Sequence, residues 1–233
     1  MHVKRAPRLV LASAVIGVIL GFVVTATVQG ASVTPTQNRA MLRVTDLNDH
    51  YGHVTRSYTE DLGKGRRPTV CENPVTGRVA TPKRAASSAL LKEISFPANV
   101  VWQNTAFYYP SALEAQAAFR DMATKAKSYC NMSKVINIGT DGDRVMARVT
   151  YATVGLAPTH GVSRLAVSYD ANLVSATSPS ATYVDAYDYS VYAINGNVIT
   201  RVGVGQVSKI LPLEKSDADA IALTVAGRLA KLG

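Results

Sequence analysis

The chain has 233 residues, 47% of them apolar and 18% charged, enough for one sizeable globular core or two small ones once the N-terminus is set aside. Its formal charge is +9, and without Lys4, Arg5 and Arg8 the remainder carries 22 basic against 16 acidic residues, or +6. That balance favours anionic surroundings such as lipid head groups or envelope polymers, with plain solubility as the ordinary alternative.

Met1 to Arg8 is basic, Leu9 to Val24 is almost wholly apolar, and small residues follow through Ala31. This is the layout of an export signal. Val24 with Ala26, or Val28 with Gly30, offers small residues for cleavage, but Leu9 to Val28 also reaches the ~20 residues that span a bilayer. Residues 1–30 are therefore a signal peptide or an uncut N-terminal membrane anchor. Positive charge ahead of the apolar run places the bulk of the protein outside in either case. No cysteine follows the run to take a lipid.

Residues 31–38 (ASVTPTQN) are polar and turn-rich and read as a linker, leaving 39–233 as the folded domain. Met41, Leu42, Val44 and Leu47 predict a short helix with Thr45 and Asp46 on its wet side. Between residues 49 and 88, glycines and prolines interrupt every period, which predicts loops pinned by Cys71. Lys64, Arg66 and Arg67 form a basic cluster there, read as a solvated loop.

The stretch Asn99 to Asn131 is the most legible. A strand-like segment holding the only tryptophan, Trp102, stops at Pro110-Ser111, and Ser111 with Glu114 predicts a capping box. Leu113 or Ala115, Ala118 or Phe119, Met122, Ala126 and Tyr129 then recur at helical steps, so one stripe is buried. Cys130 ends the helix. In an oxidising compartment it has only Cys71 to pair with, so a structural disulfide between them is expected, a redox pair being closer in sequence.

Beyond Cys130 the period becomes two. Val145, Ala147, Val149 and Tyr151 alternate with Arg144, Met146, Arg148 and Thr150, and Leu165, Val167 and Tyr169 alternate with Arg164, Ala166 and Ser168. Asn195-Gly196 predicts a type I′ hairpin turn, pairing Val191 with Thr200, Tyr189 with Val202 and Tyr187 with Val204 on the core face. The other face pairs Ser190 with Arg201 and Asp188 with Gly203, and is polar or closely approached at Gly203 and Gly205. A last helix begins at Ser216, with Asp219 at its third position and Ala218, Ile221, Ala222, Val225, Leu229 and Leu232 in its stripe. The order of elements predicts an α+β fold, a mainly antiparallel β-sheet with helices packed on one face and one disulfide.

The exported N-terminus, AMLRVTDLN, Cys71, the strand from Trp102 to Phe107 followed by YPSALEAQAAF, the helix-ending cysteine and NGNVITRVGV together resemble the PknH-like extracellular sensor domain of actinobacterial envelope proteins and receptor kinases. The resemblance spans roughly Gln37 to Gly233. It implies one α+β domain with a ligand-accepting cleft and no catalysis. Members of that family usually carry two disulfides and a tryptophan before the helix-ending cysteine. Here there is one cysteine pair, and Tyr129 stands before Cys130.

Candidate chemistry is sparse. His50, His53 and His160 fall in predicted loops without the convergent groups a hydrolase needs. Gly139 to Asp143 lacks the distal glutamate of a calcium loop and reads as a turn. Asn131-Met132-Ser133 matches a glycosylation sequon by pattern alone. No catalytic residue, cofactor, metal or nucleic acid is expected. Arg144, Arg148, Arg164 and Arg201 on outward strand faces are candidate anion-binding residues, if their strands are neighbours; a solvated charged face is the ordinary alternative. Tyr151, Tyr169, Tyr187 and Tyr189 point inward, and Tyr151, Tyr187 and Tyr189 are the candidate cleft-lining residues, with plain core as the alternative. The expected function is a noncatalytic extracytoplasmic sensor or ligand-binding module of the cell envelope whose partner is an unidentified envelope ligand, an anionic one among the candidates, tied to the membrane where the N-terminal segment stays uncut. An exported accessory or scaffold protein is the other reading.

Overall fold

Strand-forming residues fill most of the folded region, and the computed structural model describes residues 41–47, 56–71, 73–75, 80–95, 98–137, 145–159, 161–175, 182–207 and 215–230. The expected signal, linker, His50, His53, His160, Gly139 to Asp143 and Arg144 lie outside them.

Ten strands are described: β1 (Arg56–Gly63), β2 (Thr69–Val70), β3 (Asn73–Pro74), β4 (Arg84–Ser95), β5 (Ala98–Tyr108), β6 (Met132–Asn137), β7 (Val145–Thr159), β8 (Val162–Ser175), β9 (Thr182–Asn195) and β10 (Val198–Val207). Two helices accompany them, α1 (Ala112–Tyr129) and α2 (Lys215–Ala230). Eight strands form one sheet in the order β1-β4-β5-β10-β9-β8-β7-β6, while β2 and β3 pair separately. Every pairing is antiparallel.

The expected class, antiparallel sheet, packed helices and disulfide are all present. The expectation that the helices share one face is corrected. Ala115, Ala118, Phe119, Met122 and Ala126 of α1 pack against Phe107, Tyr151, Leu165, Tyr192 and Ile199. Ala218, Ile221, Ala222 and Val225 of α2 pack against Trp102, Ala166, Val191, Val202 and Val204. Those strand residues have opposite parity, so the two helices cover opposite faces and the central strands are buried on both.

Ser111 caps α1 by accepting the Glu114 N–H at 3.2 Å, and its hydroxyl donates to Glu114 Oε2 at 2.9 Å. The buried stripe settles on the alanines: Leu113 and Tyr129, both candidates for it, are 71% and 45% exposed. Cys130 ends the helix and bonds to Cys71 across a Cα–Cα distance of 5.7 Å. Asn131 then accepts the Thr153 N–H at 2.9 Å, so the amide of the sequon pattern ties the helix exit to β7.

Residues 56–63 and 84–88, expected as loops, are strands. Ala85, Ala86, Ser87, Ser88 and Ala89 show no alternation because β4 is buried on both sides, where small residues fit between layers. The β9–β10 turn is Gly196-Asn197, with Gly196 at φ 54°, as in a type II′ turn. Asn195 stays in its strand and donates to Ala226 O at 2.9 Å. The register therefore slips by two from the expected one, pairing Val191 with Val202 and Tyr189 with Val204, and the faces are preserved.

The expected early helix is a single 3₁₀ turn at Val44–Asp46. Asp46 is not on a wet side. Arg228 donates to both its carboxylate oxygens, at 2.6 and 2.8 Å, and to Met41 O at 2.9 Å. Met41 and Leu42 are buried, and Leu42 N–H reaches Ser88 Oγ at 3.1 Å. Residues 41–47 are thus a strap sealing the α2 face.

Candidate functional site

On the α1 face, the period of two brings Asp188, Ser190 and Tyr192 of β9 beside Arg201 and Gly203 of β10. Tyr192 lies under α1 and donates to Thr69 O at 2.7 Å, tying the β2–β3 hairpin to the sheet. Next along the strands, the apolar contacts give way to a polar knot. Ser190 Oγ accepts from Arg201 Nε at 3.1 Å and Nη2 at 2.9 Å, and donates to Asp188 Oδ1 at 2.8 Å. One hydroxyl donor and two acceptor positions are all used.

Ser190 is thereby committed between a cation and a carboxylate and is unsuited to act as a nucleophile here. The direct approach of Arg201 to Asp188 is long, 3.6 Å, so the hydroxyl carries most of the link. Gly203 is required beside it. A Cβ there would stand 2.9 Å from Ser190 Oγ and 3.5 Å from Arg201 Nη2.

Burial pushes the Asp188 carboxyl above its ordinary pKa, against the opposing pull of Arg201 and Ser190. The Arg201 guanidinium loses hydration, but Tyr192 and Asp188 more than restore its charged form, so it stays a cation. Its side chain is 21% exposed, whereas that of Asp188 is almost wholly enclosed. The knot is a cation with one open side, held from behind.

Of the four candidate arginines, the two with described side chains, Arg164 and Arg201, lie on opposite faces of the sheet. Arg201 lies on the α1 face, opposite Tyr192, while Arg164 pairs with Ala193 on the α2 face. Arg164 Nη2 donates to Ala157 O at 2.8 Å and Thr159 Oγ1 at 2.7 Å, so it braces the end of β7. The Arg148 backbone pairs with Val135 and Asn172, and its side chain lies outside those described, as does the whole of Arg144. The sheet separates what a count of outward positions put together.

The tyrosines divide in the same way. Tyr151 and Tyr169 meet edge to face on the α1 side, with centroids 5.1 Å apart. Tyr187 and Tyr189 lie on the α2 side. Burial raises the Tyr187 phenol to about 12, aided by Asp170 and Asp188. Tyr189, buried beneath α2, donates to Asp219 Oδ1 at 3.5 Å, and Lys215 Nζ stands 5.6 Å from its ring centroid. Burial raises Asp219 as well, opposed by Arg164 and by that phenol.

Sequence reading missed the Asp188–Ser190–Arg201 knot as a unit. Its signal was a glycine on a central strand opposite a run of polar residues, visible as a pattern only after the register is known. Among the described residues no group of three or more His, Cys, Asp or Glu side chains is placed to hold a metal. No described helix is long and apolar enough to cross a membrane.

The molecule belongs structurally to the α+β class in which one broad antiparallel sheet is covered by a helix on each face. The fold is similar to the crystal structure of the extracellular domain of PknH from Mycobacterium tuberculosis, with a TM-score of 0.52 and 13% identity, over 86% of this chain and 98% of that one. At that identity the likeness is one of fold. No family model matches the sequence, and no curated protein matches it.

Proposed function

We propose that this protein is a noncatalytic extracytoplasmic sensor or ligand-binding module of the cell envelope. The observation that carries the reading is the fold shared with the extracellular domain of PknH over nearly the whole of that domain. The Cys71–Cys130 disulfide suits an oxidising compartment, and the basic, then apolar, N-terminus suits export.

Within this reading Arg201 is the residue that meets an anionic ligand. It is charged, has one side open, and is backed by a serine and a carboxylate rather than saturated by a close ion pair. A planar guanidinium takes carboxylate or phosphate through two parallel hydrogen bonds. Arg148 and Arg164, on other parts of the sheet, are left out of this site.

Thermal shift with glycerol phosphate, glucuronate and citrate tests it. At least one should stabilise the wild-type protein, and R201K, which keeps the charge but loses the fork, should bind it about tenfold more weakly. No shift with any of the three, or an equal shift in R201K, would remove Arg201 from the reading.

A further inference from the structure

One end of the sheet gathers the start of β4, the end of β5, the β9–β10 turn and the last turn of α2. Arg84 pairs with Tyr108, and Tyr108 with Val198; Lys83 N–H bonds Tyr108 O at 2.7 Å; and Asn195 beside the turn reaches Ala226 in α2. Exposed at or beside this end are Arg43, Lys64, Arg66 and Lys83, from three separate segments. The nearest carboxylates are Asp46, held by Arg228, Asp61, held by Arg84 and the Gly63 N–H, Glu114, held by Ser111, and Glu60 in β1, fewer than the cations Arg43, Lys64, Arg66, Lys83, Arg84 and Arg228. Positive charge is left in excess.

Two large apolar side chains are exposed at the same end. Val44, 53% exposed, is in the strap next to Arg43, and Leu113, 71% exposed, is in the first turn of α1. Tyr109 N–H bonds Asn197 O at 2.9 Å, which fixes the start of α1 beside the β9–β10 turn. Isolated apolar side chains are ordinary on a surface; here they flank a basic rim, the combination that suits an interface of charged head groups over hydrocarbon.

The chain also enters the domain at this end. Met41 packs on Ala86, Ala106 and Val198, while Leu42 continues inward to Ser88. Only residues 29–40 separate Met41 from the apolar run Leu9 to Val28, a tether of at most about 40 Å when extended. Glu93, Asp170, Asp185, Asp217 and Asp219 fall toward the other end, together with Lys92 and Lys215.

We infer that this end of the domain, bearing Arg43, Val44, Lys64, Lys83 and Leu113, docks on the anionic surface of the bilayer to which the N-terminal segment tethers it. The inference rests on the reading of the chain as exported and held by an uncut N-terminal segment. Each cation near a negatively charged leaflet adds to the attraction, and the short tether keeps the face within reach. Docked in this way, the domain holds the α2 strap against the membrane and leaves the acid-bearing end outward.

Full-length protein in nanodiscs of phosphatidylcholine, with or without phosphatidylglycerol, tests this by amine acetylation. Lys64 and Lys83 should react about fivefold more slowly on the anionic discs, while Lys215, at the far end, reacts equally on both. R43E/V44S, with melting unchanged, should return Lys64 and Lys83 to their zwitterionic rates. Equal rates for all three lysines on the two discs, or equal slowing of all three, would overturn the docking face alone. Failure of the full chain to associate with either disc would overturn the tether and the docking together, and leave the export reading standing.

Discussion

Gly203 shows how one missing methyl shapes the candidate site. The Ser190 hydroxyl, held by both Arg201 nitrogens and by Asp188, occupies the space a Cβ would need. G203A must therefore displace a side chain whose three hydrogen bonds all fix its position, with a cost of about 1–3 kcal/mol. Urea unfolding should show that loss, and S190A/G203A should be about as stable as S190A alone, because the clashing oxygen is gone. A double variant as unstable as the sum of the two singles would mean that the crowding lies elsewhere. Asp188 yields a second test at this scale. Its folded pKa lies above the ordinary 3.8, so within that window the native state binds the proton more tightly than the unfolded chain, and stability falls as pH rises. The stability difference between wild type and D188N should thus shift against the wild type as pH rises above the ordinary 3.8. A difference that instead grows with pH would show a carboxylate held by Arg201 below its ordinary value, the opposite balance of burial and pairing.

At the scale of elements, what the sequence revealed depended on whether one face or both were buried. α1 was legible because its cap is chemical, Ser111 with Glu114, and its buried alanines recur at helical spacing. The choice between Leu113 and Ala115 was not legible, since both fit the period and only packing on Phe107 and Ile199 decides it. β9 and β10 were legible from composition, but their register was not. Asn195-Gly196 and Gly196-Asn197 both make two-residue turns, and the bond from Asn195 to Ala226 selects the second through an element thirty residues away. β4 was invisible for a related reason: alanine and serine have weak strand preference, and their place in the sheet comes from pairing with β1 and β5. Arg164 and Arg201 also part at this scale. Strand parity separates inward from outward only when one face is core, and with a helix on each face Arg164 and Arg201 are both half-enclosed on different sides. The strap was read as a wet helix because its ion pair joins residues 182 positions apart.

For the whole molecule, the two covering layers are fastened by different means. The α2 layer follows β10 closely in sequence and is held by the strap through Arg228 and by the continuous core around Trp102, Val202 and Ala222. The α1 layer carries the β2–β3 hairpin, whose polar ties to the sheet and helix include Tyr192 to Thr69 and whose covalent tie is Cys71–Cys130. Cys71 at φ 48° sits in a left-handed conformation that non-glycine residues seldom adopt, a position the bond and the buried contacts of Val70 and Val75 enforce. The bridge spans 59 residues, including β4 and β5, so its removal frees a long loop in the unfolded chain and costs about 4 kcal/mol in the chain-entropy description. C71S/C130S should therefore lose roughly that much stability to urea. The loss should also be uneven: amide exchange in β2, β3 and α1 should quicken first, whereas α2, packed on the other face of the sheet, should open only with the whole molecule. Uniform acceleration across both faces would show that the sheet transmits the loss directly and that the layers are one cooperative unit. Selective opening of the α1 side would expose the Asp188–Ser190–Arg201 knot, making the disulfide the element that keeps the candidate site shaped while the domain stays folded.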